Sequence, residues 1–244
     1  MPHAIFPDSM AARGKARLPT LVLCLLLLMQ GAWRASLEID SARARELPAP
    51  PPPSLLALAA LGDELVLSRL LMLWLQAFDT QAGTRISLKD LDYTRVEAWL
   101  RQCLYLAPKA QYPLLAASRF YADVPDAARA RRMLAFVSSA FGEDPARRWP
   151  WLVHAVYVAR HRLNDQALAL AYARQLARED KPHIPNWARQ MEIFVLEDMG
   201  EIEAAKILLG SLLGSGQITD PHEGAFLRER LAALEARFRT RDAP

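Results

Sequence analysis

The sequence repeats at a spacing that few folds use. Three segments align with one another: YPLLAASRFYADVPDAARARRMLAFV, WPWLVHAVYVARHRLNDQALALAYARQL and IPNWARQMEIFVLEDMGEIEAAKILLGSL. Each begins with a bulky residue and a proline, and continues as two apolar-periodic stretches separated by a short break that contains an acidic residue. A unit this small cannot bury its own apolar face and must stack on its neighbours. The repeat therefore predicts an array of helical hairpins.

A residue of modest size recurs in the second stretch of each unit. The four residues are Val96, Ala130, Ala169 and Ala205, and their successive separations are 34, 39 and 36 positions. This is the period of helical-hairpin solenoids. A small side chain is needed where two helices cross closely, because a larger one would push their axes apart.

Two stretches resemble a known family. LDYTRVEAWLRQCLYLAP, which ends at Pro108, and MGEIEAAKILL, residues 199–209, are similar to the second half of a tetratricopeptide repeat (TPR) in their order of turn, acidic or aromatic pair, small residue and terminal proline. The family's first-helix Trp-Leu-Gly-Tyr pattern is absent, and Val96 stands in the place of the small alanine. The first hairpin also carries an additional loop at residues 79–90.

The resemblance covers about residues 63–213. It implies an all-α fold, a right-handed α-solenoid of about four TPR-like hairpins. The amphipathic segment 220–238 would cap its last apolar face, since terminal repeats need a polar outer side.

Apolar residues at three- and four-residue spacing predict the individual helices, and prolines fall in the gaps or in first turns, where they are tolerated. Asp126, Asp165 and Asp220 stand at expected N-cap positions. No stretch alternates as a strand would, so we predict no strands. The predicted helices are 54–61, 63–78, 92–106, 111–122, 126–141, 149–162, 165–179, 186–198, 201–213 and 221–238.

A basic tail, residues 1–17, precedes a short apolar segment, residues 18–33, which reads LPTLVLCLLLLMQGAW. We predict a signal or single transmembrane helix, uncleaved, although a full span usually takes about 20 residues. The basic tail would stay in the cytoplasm. The rest of the chain would then be periplasmic and tethered to the inner membrane of a Gram-negative bacterium. A cleaved signal peptide and a mitochondrial presequence are the alternatives.

A proline-rich stretch separates this segment from the body. Within the predicted linker, residues 34–53, five of the last six residues are proline, which predicts a semi-rigid spacer. Residues 54–244 are predicted to form one TPR-like domain. The apolar run 70–75 follows Asp63, Glu64 and Arg69, and is expected to be a buried helix and not a second span.

The sequence carries no recognisable catalytic chemistry. It has no zinc signature, no glycine-rich phosphate loop and no serine elbow. Cys103 is expected to be a small buried residue, and Cys24 lies in the apolar segment. We expect no enzymatic activity, catalytic residue, cofactor, metal or small-molecule substrate. The chain from residue 18 onward has a formal charge of about +1, which argues against a nucleic-acid partner.

Members of the resembled family bind partners on the concave surface that the first helix of each hairpin lines. Aromatic and arginine side chains are typical of such surfaces. Alternatively, Trp151 and Trp187 pack between hairpins, and Arg119 and Arg162 are simply solvated. The resemblance places a partner-binding groove at Tyr112, Arg119, Trp151, His154, His161, Arg162, Trp187 and Gln190.

The expected function is therefore a membrane-anchored scaffold. It would bind a protein partner, an envelope or membrane-complex component, and help to assemble or stabilise that complex. A permanent structural subunit of a membrane complex is one alternative. An enzyme with dispersed active-site residues is the other.

Overall fold

The structure is a computed structural model of the 244-residue chain. It describes residues 11–36, 46–81, 84–179, 183–216 and 218–241. These residues form an N-terminal helix and a helical body, which are separate compact units. The fold of the described residues is all-α, as predicted, apart from two strands of two residues each.

The N-terminal helix, α1 (Ala11–Ser36), contains the whole apolar segment predicted from the sequence. Consecutive side chains from Leu25 to Met29 are all exposed, so apolar groups point outward on every side of the helix. Among the described residues, no helix combines the length and the apolar content that crossing a membrane requires. Most of the predicted cytoplasmic tail, residues 1–10, and the middle of the predicted linker, residues 37–45, lie outside the described residues.

The ten predicted body helices are all present, and two of them are subdivided. The predicted helix 111–122 consists of α5 and a π-helical segment, and the predicted helix 186–198 consists of α9 and α10. In chain order the helices are α2 (Pro53–Ala59), α3 (Glu64–Ala77), α4 (Tyr93–Leu106), α5 (Tyr112–Leu115), the π-helical segment (Ala116–Tyr121), α6 (Ala127–Glu143), α7 (Pro145–His161), α8 (Gln166–Arg178), α9 (Asn186–Arg189), α10 (Met191–Asp198), α11 (Ile202–Gly214) and α12 (Pro221–Arg241).

Aspartates begin most of the longer helices. Asp126 and Asp165 accept hydrogen bonds from backbone amides in the first turns of α6 and α8, as predicted. Asp63 and Asp92 do the same for α3 and α4. Asp220 accepts from the amide of His222 at the start of α12. Each carboxylate satisfies amides that have no partner within the helix.

The prediction of no strands is wrong in the loop between α3 and α4. Thr80–Gln81 (β1) pairs with Thr84–Arg85 (β2), and the amide of Ile86 donates to the carbonyl of Asp79 at 2.7 Å. A 3-10 turn, Leu88–Asp90, follows. Strands of two residues are too short to produce a detectable alternation of polar and apolar side chains.

Successive helices of the body pack on one another in chain order. α3 packs on α4, α6 on both the π-helical segment and α7, α7 on α8, α8 on α10, α10 on α11, and α11 on α12. The buried residues form one continuous apolar core. The four positions expected at close crossings are all buried: Val96, Ala130, Ala169 and Ala205. Val96, Ala169 and Ala205 belong to this core.

Side-chain bonds also join equivalent helices of neighbouring hairpins. Arg131 bonds to Asp165 across 34 positions, and Ser138 to Gln175 across 37. Trp151 bonds to Gln111 across 40 positions. These separations lie close to the sequence period, so equivalent helices lie side by side.

The body begins earlier than the sequence predicts, inside the proline-rich linker. Leu47 is 1% exposed, and its carbonyl accepts a hydrogen bond from Arg95. The indole of Trp99 donates to the carbonyl of Pro48 at 2.8 Å. An extended proline-rich backbone makes no hydrogen bonds of its own. Its carbonyls are therefore free to accept from α4, and this end of the linker belongs to the fold.

Candidate functional site

The first helix of the second hairpin changes its hydrogen-bonding pattern midway. The amide of Ala122 donates to the carbonyl of Ala117, five residues earlier, at 2.9 Å. Ser118 and Tyr121 of the π-helical segment are buried, whereas Arg119 and Phe120 are exposed. Such turns carry one extra residue per turn, are rare, and occur frequently at functional sites.

Two neighbouring helices hold the end of the π-helical segment in place. From α4, the hydroxyl of Tyr93 donates to the carbonyl of Tyr121 at 3.0 Å. From the end of α7, Arg162 donates to the carbonyls of Ala122 and Val124, each at 3.4 Å, and forms an ion pair with Asp123. Arg162 was predicted to bind a partner, and the structure shows that its guanidinium stabilises this loop.

A ladder of three rings runs along α7 next to the π-helical segment. Tyr157 lies between His154, whose ring centroid is 6.0 Å away, and His161, whose centroid is 4.7 Å away. Spacings of three and four residues place the three rings on one helix face. Tyr157 is 55% exposed. We name these three residues and Arg119 the α7 surface.

The positive charge of Arg119 affects the protonation of His154. Burial lowers the pKa of His154 below its ordinary value of 6.5, and the charge of Arg119 lowers it further. A hydrogen bond with the Ser118 backbone acts in the opposite direction. The imidazole of His154 is therefore neutral at pH 7, and Arg119 supplies a positive charge beside the rings.

Sequence reasoning identified His154, His161 and Arg119 but missed Tyr157. The signal was present, because Tyr157 is three residues after one histidine and four before the other. Two histidines at this spacing suggest a metal site only when a carboxylate, a thiol or another imidazole lies between them. The aromatic ring of Tyr157 does not fit that pattern, and it was therefore not predicted as part of the site.

Two predicted groove residues serve contacts between adjacent hairpins. The half-buried indole of Trp151 donates to Gln111 at 2.6 Å. The hydroxyl of Tyr112 accepts from Gln76 at 2.6 Å. Tyr112 also lines an open cavity of about 630 Å³ between α3 and the segment 107–113.

The two remaining groove residues differ from each other. Trp187 is exposed and meets Trp149 edge to face, with ring centroids 5.5 Å apart. Gln190 is buried, and its amide donates to Glu223 of α12 at 2.6 Å. The side chain of Gln190 therefore contacts α12, and its role in binding a partner stays a prediction.

Other polar groups offer little reactive chemistry. Within the described ranges, no group of three or more His, Cys, Asp or Glu residues is placed to hold a metal ion. Burial raises the pKa of Cys103 to about 12, although a hydrogen bond from Ser68 opposes the shift. A thiol with this pKa carries almost no thiolate at neutral pH and is not a nucleophile.

Comparisons with protein families, with curated proteins and with solved structures find no match to this chain.

Proposed function

We propose that this protein is a membrane-anchored, TPR-like scaffold that binds a protein partner through the α7 surface. The observation that carries the proposal is the exposure of Tyr157 between two histidine rings, with Arg119 beside them. Isolated exposed aromatic residues are ordinary. A ladder of adjacent rings next to a charge and a π-helical segment is the kind of surface that protein interfaces enrich.

The register of the body supports the solenoid part of the proposal. The bonds between equivalent helices span 34 to 40 residues, as a hairpin repeat requires. Helices pack on their neighbours in chain order, so each hairpin is in contact with the next. In arrays of this kind the first helices line a common face, to which α5, the π-helical segment and α7 belong.

The apolar exterior of α1 supports the anchor. Consecutive leucines on all sides of a helix are unfavourable in water and favourable in lipid. The basic residues that precede them in the sequence favour a cytoplasmic N-terminus. On this proposal the body is periplasmic, and a C-terminal alkaline phosphatase fusion would be active. Activity from a cytoplasmic reporter alone contradicts the placement.

The chemistry of the α7 surface indicates the partner. Tyr157 and the exposed Phe120 offer apolar area, and Arg119 offers a charge-assisted hydrogen bond. A carboxylate next to an aliphatic or aromatic side chain fits this set. We propose that an acidic, partly apolar segment of an envelope-complex subunit binds here.

Site-specific photocrosslinking in living cells tests the proposal. A photoreactive phenylalanine replaces Tyr157, and in a matched control it replaces Tyr105, an exposed tyrosine of α4. We expect a discrete crosslinked partner at Tyr157 that is absent at Tyr105 and is lost when Arg119→Glu is added. The same products at both positions, or products insensitive to Arg119→Glu, contradict the proposal.

Trp151 and Arg162, although predicted to line the groove, are less suitable positions for this test. Substitution of Trp151 or Arg162 would disturb bonds within the fold. A loss of binding in such variants would therefore not distinguish a contact from a misfolded loop. Tyr157 and Arg119 are exposed, so changing them leaves the core intact.

A further inference from the structure

Helix α3 is apolar on two opposite sides. Its inner side, Ser68, Met72 and Leu75, is buried. Ser68 donates to the carbonyl of Cys103 at 2.8 Å, which fixes this side to α4. The opposite side carries exposed apolar residues at helical spacing, and we name it the outer face of α3: Val66, Leu70 and Leu73.

The turn that leads into α3 extends this apolar surface. Leu61 is 92% exposed and has a positive φ of 50°. A left-handed backbone is uncommon for residues other than glycine, asparagine and aspartate. Leu55 and Leu58 of α2 are also exposed. Seven large apolar residues are thus exposed within the stretch from Leu55 to Leu73, whereas exposed apolar residues of a soluble surface are usually scattered singly.

The other end of the body is built differently. In α12, Leu227 and Leu234 are buried, while the exposed side is mostly polar and carries Arg228 and Glu229 together with Phe226. A terminal helix with a polar outer side is what an array needs in order to end in water. The outer face of α3 lacks this property, which indicates that this end of the body is not built to face water.

We propose that the outer face of α3 and the Leu61 turn lie in the membrane–water interface. The inference rests on the proposed anchoring by α1. Only nine residues, 37–45, separate α1 from Glu46, and nine residues reach at most about 30 Å. The chain then enters the body at Leu47 and continues directly into α2 and α3. The segment nearest to the bilayer along the chain is thus the one with exposed leucines.

The chemistry of the face suits lipid. Its side chains are aliphatic, and the exposed Arg69 can extend its guanidinium towards headgroups while its methylene groups stay in contact with apolar surface. Trp74, exposed near the end of α3, is of the type enriched at membrane interfaces. Asp63 and Glu64 offset Arg69, so we expect binding through apolar burial, without a requirement for anionic lipid.

A fluorescent label that responds to lipid tests the inference in the full chain. A thiol-reactive NBD dye is placed at Leu61→Cys, and separately at Leu70→Cys, in a Cys24→Ser background. Cys103 is buried, with a pKa of about 12, and stays unlabelled. The control is Ala171→Cys, an exposed position of α8. Each protein is reconstituted into phosphatidylcholine vesicles with or without doxyl-labelled phosphatidylcholine.

We expect blue-shifted emission and doxyl quenching at Leu61 and Leu70, at the depth of about 5–10 Å typical of interfacial helices, and neither change at Ala171. Equal quenching at all three positions, or none at Leu61 and Leu70, overturns the inference. A blue shift at Leu61 without doxyl quenching also overturns it, because the face is then covered by protein, either a second copy or a permanent partner.

A second label separates this inference from the proposed anchor. NBD on the native Cys24, which is exposed on α1, reports insertion of that helix. Quenching at Cys24 without quenching at Leu61 leaves the anchor in place and rejects the interfacial face. Quenching at neither position rejects both, and quenching at Leu61 alone rejects the anchor while retaining the face.

Discussion

The guanidinium of Arg148 donates a hydrogen bond to the carbonyl oxygen of Pro108 at 3.1 Å, across 40 positions of the sequence. It also donates to the carbonyl of Ala140 at 2.7 Å. Ala140 lies in the last turn of α6, where carbonyls have no partner within the helix. One buried side chain in the first turn of α7 therefore fastens three consecutive parts of the body.

Replacing Arg148 with methionine is expected to reduce the free energy of unfolding by about 2–4 kcal/mol. Both carbonyls would lose their donor, and an unsatisfied buried group costs about 1–3 kcal/mol. The side chain of Arg148 is only 4% exposed, so water cannot replace it readily. Urea denaturation followed by circular dichroism gives the change.

The adjacent Arg147 provides a matched control. It forms an ion pair with Asp144 at 2.6 Å, and its side chain is half exposed. Arg147→Met should change stability by less than about 1 kcal/mol, as for other surface ion pairs. Equal losses in the two variants would show that Arg148 contributes no more than a surface charge.

The helices could be predicted from the sequence because their signals are local. Apolar spacing, aspartate at N-caps and proline in first turns each act within a few residues, and Asp126 and Asp165 cap helices as predicted. The alanine period also carried information across hairpins, since Ala130 and Ala169 are buried where helices meet. Signals of this kind are repeated or short-range, so a single sequence reveals them.

The residues that the sequence did not reveal act over long distances. Nothing in the sequence distinguishes Arg148 from the many surface arginines, because its contacts with Pro108 and Ala140 are visible only in the structure. Leu47 reads as part of a spacer because prolines surround it. The π-helical segment leaves no periodic trace, since one extra residue in a short helix is indistinguishable from an irregular pattern.

Tyr93→Phe should destabilise the protein by about 1 kcal/mol, the usual value of one hydrogen bond. It removes the hydroxyl that donates to the carbonyl of Tyr121 and leaves the edge-to-face packing of the two rings. Thermal unfolding measures the effect, with Tyr105→Phe at an exposed site as the control. If Tyr93→Phe matches this control, the Tyr93 hydroxyl contributes nothing to holding the end of the π-helical segment.

Ala169→Leu should destabilise the protein by about 1–3 kcal/mol, because the enlarged side chain overpacks a helix crossing. Ala169 is completely buried in α8. Ala171, two residues further along the same helix, is exposed, so Ala171→Leu should be nearly neutral. The comparison removes any effect of helix propensity, since the two substitutions are the same. Chemical denaturation of both variants gives the difference, and equal stabilities would place the crossing elsewhere.

Arg119→Gln should raise the pKa of His154, because it removes one of the two causes that lower it and leaves burial unchanged. NMR titration of the imidazole carbon-bound protons measures the shift. Arg131→Gln, which affects an arginine that bonds to Asp165, should leave His154 unchanged. An identical His154 titration in wild type and Arg119→Gln would show that the charge of Arg119 does not affect the pKa of His154.

The same lowered pKa makes the stability of the protein depend on pH. Well above pH 6.5 the imidazole of His154 is neutral in both the folded and the unfolded chain, so it contributes no pH dependence there. As the pH falls through 6.5, the unfolded chain binds a proton that the folded chain resists, and stability decreases. His154→Gln should remove this component, so wild type should lose more stability than the variant between about pH 7 and pH 5. Urea midpoints at a series of pH values measure the difference, and parallel curves for the two proteins would mean that His154 takes up its proton equally in both states.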